Sequence, residues 1–328
     1  MNEKIITWWS GGITSAVTCK ICIDLYGLEN IRLIFIDTFN EDEDTYRFKK
    51  ECEEWYGKEI ETITGVGDKY NSIQDTWYKH KSLNVATGAI CSSLMKKRVR
   101  EKWEKDNTWK HQAFGFELDE VKRAKSMAMN HSHTKPIFPL MMYGYTKKDC
   151  INIVQEAGLE VPRMYQLGFL NNNCFQTGCV QGGIGYWQKM KREFNDKFEA
   201  MAKVEHELTD LKGEPVTMLK DQSGEAKELV SKTGDKTLQF VFLKPHKDYP
   251  SSKDISMMKG REPEPLFECN GFCGVNDLDE RKESENDINY QMDIFENKYK
   301  IIFVVFPRVT ELFCYLVKIN ACLYKYIC

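Results

Sequence analysis

The chain has 328 residues, enough for a full hydrophobic core and one or two domains. With 46 Lys and Arg against 49 Asp and Glu, its formal net charge of −3 excludes a global basic field, so nucleic acid would have to be met by a local patch. The opening, Met1-Asn2-Glu3-Lys4, leads straight into a strand-like run, which predicts a reducing cytoplasm where the 12 cysteines stay as thiols and some bind metal.

In chain order, Ile5 to Trp9 reads as a buried strand and Ser15 to Tyr26 as a helix closed by Gly27. Ile31 to Ile36 is a second strand, Glu41 to Trp55 a charged helix, and Glu59 to Ile63 a third strand before a less regular segment reaches Ala89. Ser92 to Lys105 reads as a basic helix, His111 to Phe116 and Ile137 to Leu140 as short strands, and Thr146 to Ala157 as a helix. Strands that alternate with helices predict an α/β fold with a parallel sheet covered on both faces.

Beyond Gly158 the pattern changes to Asn171-Asn172-Asn173, a stretch rich in Gly and Cys, and a long charged helix from Ile184 to about Leu211. Residues 212–236 are polar and punctuated by glycine, and read as an exposed insertion or a flexible excursion. An acidic linker follows, then an apolar tail over 299–328. Pro307, Arg308, Glu311 and Lys318 interrupt that tail, whereas a membrane span needs about 20 apolar residues in succession.

Ser10-Gly11-Gly12-Ile13-Thr14-Ser15 occupies the first strand-to-helix turn, where an open α/β sheet meets its ligands with backbone N–H groups. Two glycines let the backbone approach a phosphate, and the hydroxyls of Ser10, Thr14 and Ser15 add donors. The turn lacks the Gly-Lys-Ser/Thr of a Walker loop. Lys96 and Arg123 stand in two basic clusters, and an Arg offers phosphate or sulfate two parallel hydrogen bonds.

Cys174 and Cys179, with four residues between them, and Cys269 and Cys273, with three, form two close pairs. Four thiolates from two such pairs can close a zinc site or hold an iron–sulfur cluster such as [4Fe-4S], and Gly178 and Gly271 allow the turns this needs. Cys91, beside a basic helix, is a separate candidate for a reactive thiol. Tyr186, Trp187 and the Asn triplet are candidate pocket residues, and His131 and His133 weak candidate ligands.

The Ser-Gly-Gly-x-Thr-Ser turn after a first strand resembles the signature of the PP-loop ATP pyrophosphatases. Phe35 to Phe48 (FIDTFNEDEDTYRF), Cys91 to Trp103 (CSSLMKKRVREKW), Gly115 to Met127 (GFELDEVKRAKSM) and the block from Asn171 to Phe194 are similar to their phosphoadenosine phosphosulfate (PAPS) reductase branch. The resemblance runs from about Lys4 to Cys273. It implies a Rossmann-like adenine nucleotide alpha hydrolase domain over 1–165 and a helical metal-binding region over 166–280, and the acidic linker and apolar tail, read from composition alone, take up 281–328.

It further implies that Ser10, Gly11, Gly12, Thr14 and Ser15 hold the phosphate end of ATP or PAPS, that Asp37 and Thr38 lie beside ribose and base, and that Asp37, Lys96 and Arg123 serve catalysis. With ATP, Mg²⁺ would accompany the phosphates, and adenylyl transfer would serve sulfur transfer or nucleic-acid modification, with a nucleic-acid substrate or a sulfur-donor protein as partner. With PAPS, a thiol would reduce the sulfonucleotide. "FECNGFCG" begins like the branch's reductase cysteine segment but then departs from it: Asn270 stands where glycine is expected and no histidine follows. A nucleotide-binding accessory protein without turnover is the third possibility.

Overall fold

The computed structural model describes residues 3–85, 88–172, 174–264 and 266. The chain divides into two units, Met1–Asp277 and Leu278–Cys328, and every described residue falls in the first. The acidic linker, the apolar tail, Cys269 and Cys273 lie outside the described residues.

β1 (Ile5–Trp9) is buried throughout, because its alternating side chains feed two cores. Ile5 and Trp9 pack with Ile13 of α1 (Ile13–Tyr26) and with Leu33 and Phe35 of β2 (Ile31–Asp37). Ile6 and Trp8 pack on the other face with Ile34, Ile36, Phe114 and Phe116. Such burial on both faces makes β1 and β2 read as unbroken apolar runs.

α2 (Glu43–Tyr56) starts at Asp42, whose carboxylate accepts from Asp44 N at 3.0 Å, and β3 (Glu61–Thr64) follows it. The segment expected to be irregular holds α3 (Ile73–His80), capped by Ser72, and a two-residue hairpin of β4 (Asn84–Val85) and β5 (Gly88–Ala89). The basic helix is a continuous path through α4 (Ile90–Ser92), a π-helical stretch (Ser93–Lys97) and α5 (Arg98–Asp106). β6 (His111–Ala113), α6 (Val121–Asn130) and β7 (Pro136–Ile137) come next. The strand expected at Ile137 to Leu140 gives way at once to α7 (Pro139–Tyr143), whose first residue is a proline, well suited to a helix start. α8 (Lys147–Glu156), with a capping box at Thr146 and Asp149, and α9 (Arg163–Gln166) follow.

All pairings of the main sheet are parallel, in the order β3-β2-β1-β6-β7. The chain reverses its direction of travel across the sheet between β1 and β6, and the crevice beyond those strand ends is where open α/β sheets bind ligands.

The long charged helix is two: α10 (Ile184–Glu193) and α11 (Asn195–Lys212), broken at Phe194, whose backbone leaves the helical region. Residues 212–236 are folded rather than a loose insertion. They carry β8 (Leu219–Lys220) and α12 (Gly224–Thr233), and β8 pairs with β9 (Phe240–Phe242), which pairs with β10 (Lys253–Asp254). Buried Glu205 fastens this small sheet to α11 by accepting from Met218 N and Leu243 N, at 2.9 and 2.7 Å. Trp77, Leu94 and Met95 share one core with Phe175, Trp187, Phe198 and Val241, so the segment between β3 and β6 packs with the C-terminal region. No helix among the described residues is long and apolar enough to cross a membrane.

Candidate functional site

The turn after β1 is held open by its own hydroxyls. Ser15, fully buried, donates to Gly12 O at 2.8 Å and accepts from Ser10 N at 3.0 Å and from Ser10 Oγ at 2.9 Å. Its one proton is spent inside the loop, so Ser15 shapes the turn rather than donating to a ligand as the sequence led us to expect. Gly12 sits at the N-cap of α1 with no side-chain cap, and Ile13 N reaches the Tyr165 hydroxyl at 3.3 Å. Gly11 has φ +86°, and a Cβ there would lie 2.7 Å from Thr45 Cγ2, which requires glycine on both counts.

Three neighbouring segments close on this turn. A Cβ on Gly115, just past β6, would lie 3.0 Å from Ser15 N, so the two backbones touch. Asn172 donates to Gly11 O at 2.9 Å and to Thr45 Oγ1 at 3.0 Å, which joins the turn to α2. Asn40, after β2, donates to Thr177 Oγ1 at 2.9 Å and accepts from Gln176 N at 3.1 Å, docking the Cys174–Cys179 loop beside it.

The end of β2 is acidic and buried. Asp37 accepts from Phe39 N at 2.8 Å and from the Tyr46 hydroxyl at 3.0 Å. Asp42, not Asp37, caps α2. Glu41 pairs with Lys96 at 3.0 Å, both side chains buried, and the same oxygen lies 3.5 Å from Thr38 Oγ1 and 4.0 Å from Cys174 Sγ. Burial pushes the Tyr46 phenol up, and the charges of Asp37 and Glu41 beside it push further. Sequence reasoning missed Glu41 and Tyr165, and named Asn172 only as one of the Asn triplet, without its tie to Gly11. Glu41 lay in an acidic run that reads as a solvated helix face.

Lys96 therefore enters the site from the π-helical stretch, a local irregularity that often marks functional positions. Arg123 lies on α6, paired with Glu120 at 2.7 Å and with its guanidinium 4.3 Å from the Phe116 ring centre. Both basic residues are buried beside an acid rather than displayed on solvated helix faces.

Cys174 is half-buried and Cys179 buried, with Tyr186 Oη accepting from Cys179 N at 3.0 Å. Their partners in the expected metal set, Cys269 and Cys273, lie outside the described residues. Tyr186 and Trp187 are core residues, and a Cβ on Gly178 would lie 2.6 Å from Trp187 Cη2. Cys91 packs partly buried against the same core. His131 is pushed down to about 4 by burial and then by Arg100, and therefore stays neutral at pH 7.

One group with metal-ligand side chains is Asp210, His246 and Asp248. His246 Nδ1 accepts from Asp248 N at 3.2 Å, which leaves the proton on Nε2, the nitrogen that faces Asp210 at 3.5 Å. In that tautomer Nε2 has no lone pair for a metal.

Residues 4–181 match the family model described as the phosphoadenosine phosphosulfate reductase domain. The chain belongs to that family. The phosphoadenosine phosphosulfate reductase domain thus covers the sheet, the Ser-Gly-Gly turn and the Cys174–Cys179 loop. The chain is similar to a crystal structure of phosphoadenylyl-sulfate (PAPS) reductase from Candida auris in a phosphate complex, at 17% identity and a TM-score of 0.40, over 53% of this chain and 83% of that one. No curated protein matches the chain.

Proposed function

We propose that the chain binds an adenine nucleotide across the ends of β1 and β6 and, with ATP as that nucleotide, transfers its adenylyl group in a sulfur-transfer or nucleic-acid modification reaction. The observation that carries the binding reading is the N-terminus of α1, whose N-cap residue, Gly12, brings no side-chain cap of its own and which sits behind a left-handed glycine at the reversal point of the sheet. Its amides and helix dipole favour an anion there. In this reading Gly11 and Gly12 admit the phosphates, Thr14 donates to them, Ser10, whose hydroxyl proton goes to Ser15, lines the turn beside them, and Asp37 and Thr38 flank the ribose.

Mg²⁺ bound with ATP would offset the phosphate charge during attack. Such an ion keeps most of its ligands on phosphate and water, and partly buried Ser10 beside Gly11 is an oxygen donor the loop offers it. Arg123 would hold charge at the α-phosphate and Lys96, paired with Glu41, would act at the ribose end, while an acceptor oxygen bonds to the α-phosphorus as the bridging P–O bond breaks and pyrophosphate leaves with the electron pair. A sulfur donor would then displace AMP.

We further propose that Cys174, Cys179, Cys269 and Cys273 share one zinc ion or iron–sulfur cluster. Support comes from the hydrogen bond between Leu266 N and Asn171 Oδ1, at 2.6 Å. Cys174 and Cys269 each lie three residues along the chain from that bond.

Family membership favours a second reading, in which a thiol attacks the sulfonate sulfur of PAPS and adenosine 3′,5′-bisphosphate leaves. Incubation with Mg²⁺ and α-labelled ATP, against PAPS with a thiol reductant, separates the two. Labelled AMP or an adenylylated acceptor supports the first, and sulfite release supports the second.

A further inference from the structure

We infer that Glu41 makes the ribose end of the site selective for a nucleotide with free ribose hydroxyls and against one that carries a ribose phosphate. The inference rests on the nucleotide reading above and goes beyond it by separating ATP-like nucleotides from PAPS.

In a sheet of this order, the end of the second strand flanks the ribose of a nucleotide whose phosphates rest on the first turn. An acidic side chain there accepts from a hydroxyl, whereas a basic one accommodates a phosphate. Three carboxylates are buried at that place, those of Asp37, Glu41 and Asp42, at 3, 1 and 1% exposure. Two cations face them: Lys96 on Glu41 at 3.0 Å and Arg163 on Asp42 at 2.7 Å. The donors to the Asp37 side chain, Phe39 N and the Tyr46 hydroxyl, are neutral. The corner therefore carries one net negative charge.

Glu41 Oε2 sharpens the point. It is fully buried and has no hydrogen-bond partner among the described residues, an acceptor that lacks a donor. A ribose hydroxyl is a donor. A phosphate dianion brings only acceptors, and its charge would lie beside an existing carboxylate. Lys96, the buried cation that would otherwise neutralise such a phosphate, is already engaged by Glu41.

The full chain should be titrated with adenosine 5′-phosphosulfate and with PAPS, which differ only in the 3′-phosphate, and with ATP and Mg²⁺. The expected result is that PAPS binds at least about tenfold more weakly than adenosine 5′-phosphosulfate, and that Glu41→Gln, which removes the charge and releases Lys96, cuts that ratio to about threefold or less. Glu41→Asp keeps the charge and should keep the discrimination. PAPS bound as tightly as its partner, or more tightly, by the unaltered protein overturns the inference and leaves the nucleotide reading intact. Failure of all three nucleotides to bind overturns the nucleotide reading itself. Should Glu41→Gln lose its fold by circular dichroism, the comparison on the unaltered protein still decides.

Discussion

The side chain of Asn172 donates to the backbone carbonyl of Gly11 at 2.9 Å, across 161 residues of sequence. The same amide donates to Thr45 Oγ1 at 3.0 Å. One buried side chain thus ties the glycine turn after β1 to the helix after β2, and fixes the shape of the turn from outside it.

Asn172→Ala is therefore expected to loosen the turn. It leaves a buried carbonyl without its donor, which should lower the free energy of unfolding by about 1–3 kcal/mol in denaturant melts. Nucleotide affinity should fall further than global stability does, since the amides of the turn lose their fixed direction. Unchanged affinity in a folded variant would separate Asn172 from the site.

Glu205 gives the fold a pH dependence. It is fully buried on α11, and desolvation pushes its carboxyl up to about 8 despite the two backbone amides that donate to it. A carboxyl raised in the folded state stabilises fully below its unfolded value, and that contribution is lost as pH rises through the folded value. Between pH 6 and 8 the unaltered protein should lose about 2 kcal/mol relative to Glu205→Gln, whose side chain does not titrate. Parallel pH dependence in the two proteins would show that Glu205 is already ionised in the fold.

Cys179→Ser tests the proposed metal site. Anaerobically purified protein is expected to lose most of its zinc or iron on this change, measured by elemental analysis and, for a cluster, by its visible absorption. Metal content equal to that of the unaltered protein would show that Cys179 is simply a buried thiol of the core.

The first half of the sheet was legible because β1 and β2 are short apolar runs bounded by glycine and acidic residues, a pattern that burial on both faces produces. α3 was not, because only Ile73, Thr76 and Trp77 of its eight residues are buried, too few to show a helical period. The apolar run at Ile137 to Leu140 fits strand or helix equally, and Pro139 at the helix start decided it. The glycine turn was legible as a close strand-to-helix turn, with Gly11 at φ +86°, but the use of Ser15's proton was not. Its use depends on the carbonyl direction of Gly12. Glu41 was hidden for a different reason. Its burial depends on Lys96, 55 residues away in sequence, and periodicity carries no record of such a pairing.

The most direct test of the account is a calorimetric titration of the full chain and of Gly12→Val with ATP and Mg²⁺. A valine at the N-cap of α1 puts a branched side chain where the phosphates would meet the helix amides. Binding by the unaltered protein and none by a folded Gly12→Val is the predicted result. Equal binding by the folded variant would contradict it and place the nucleotide elsewhere.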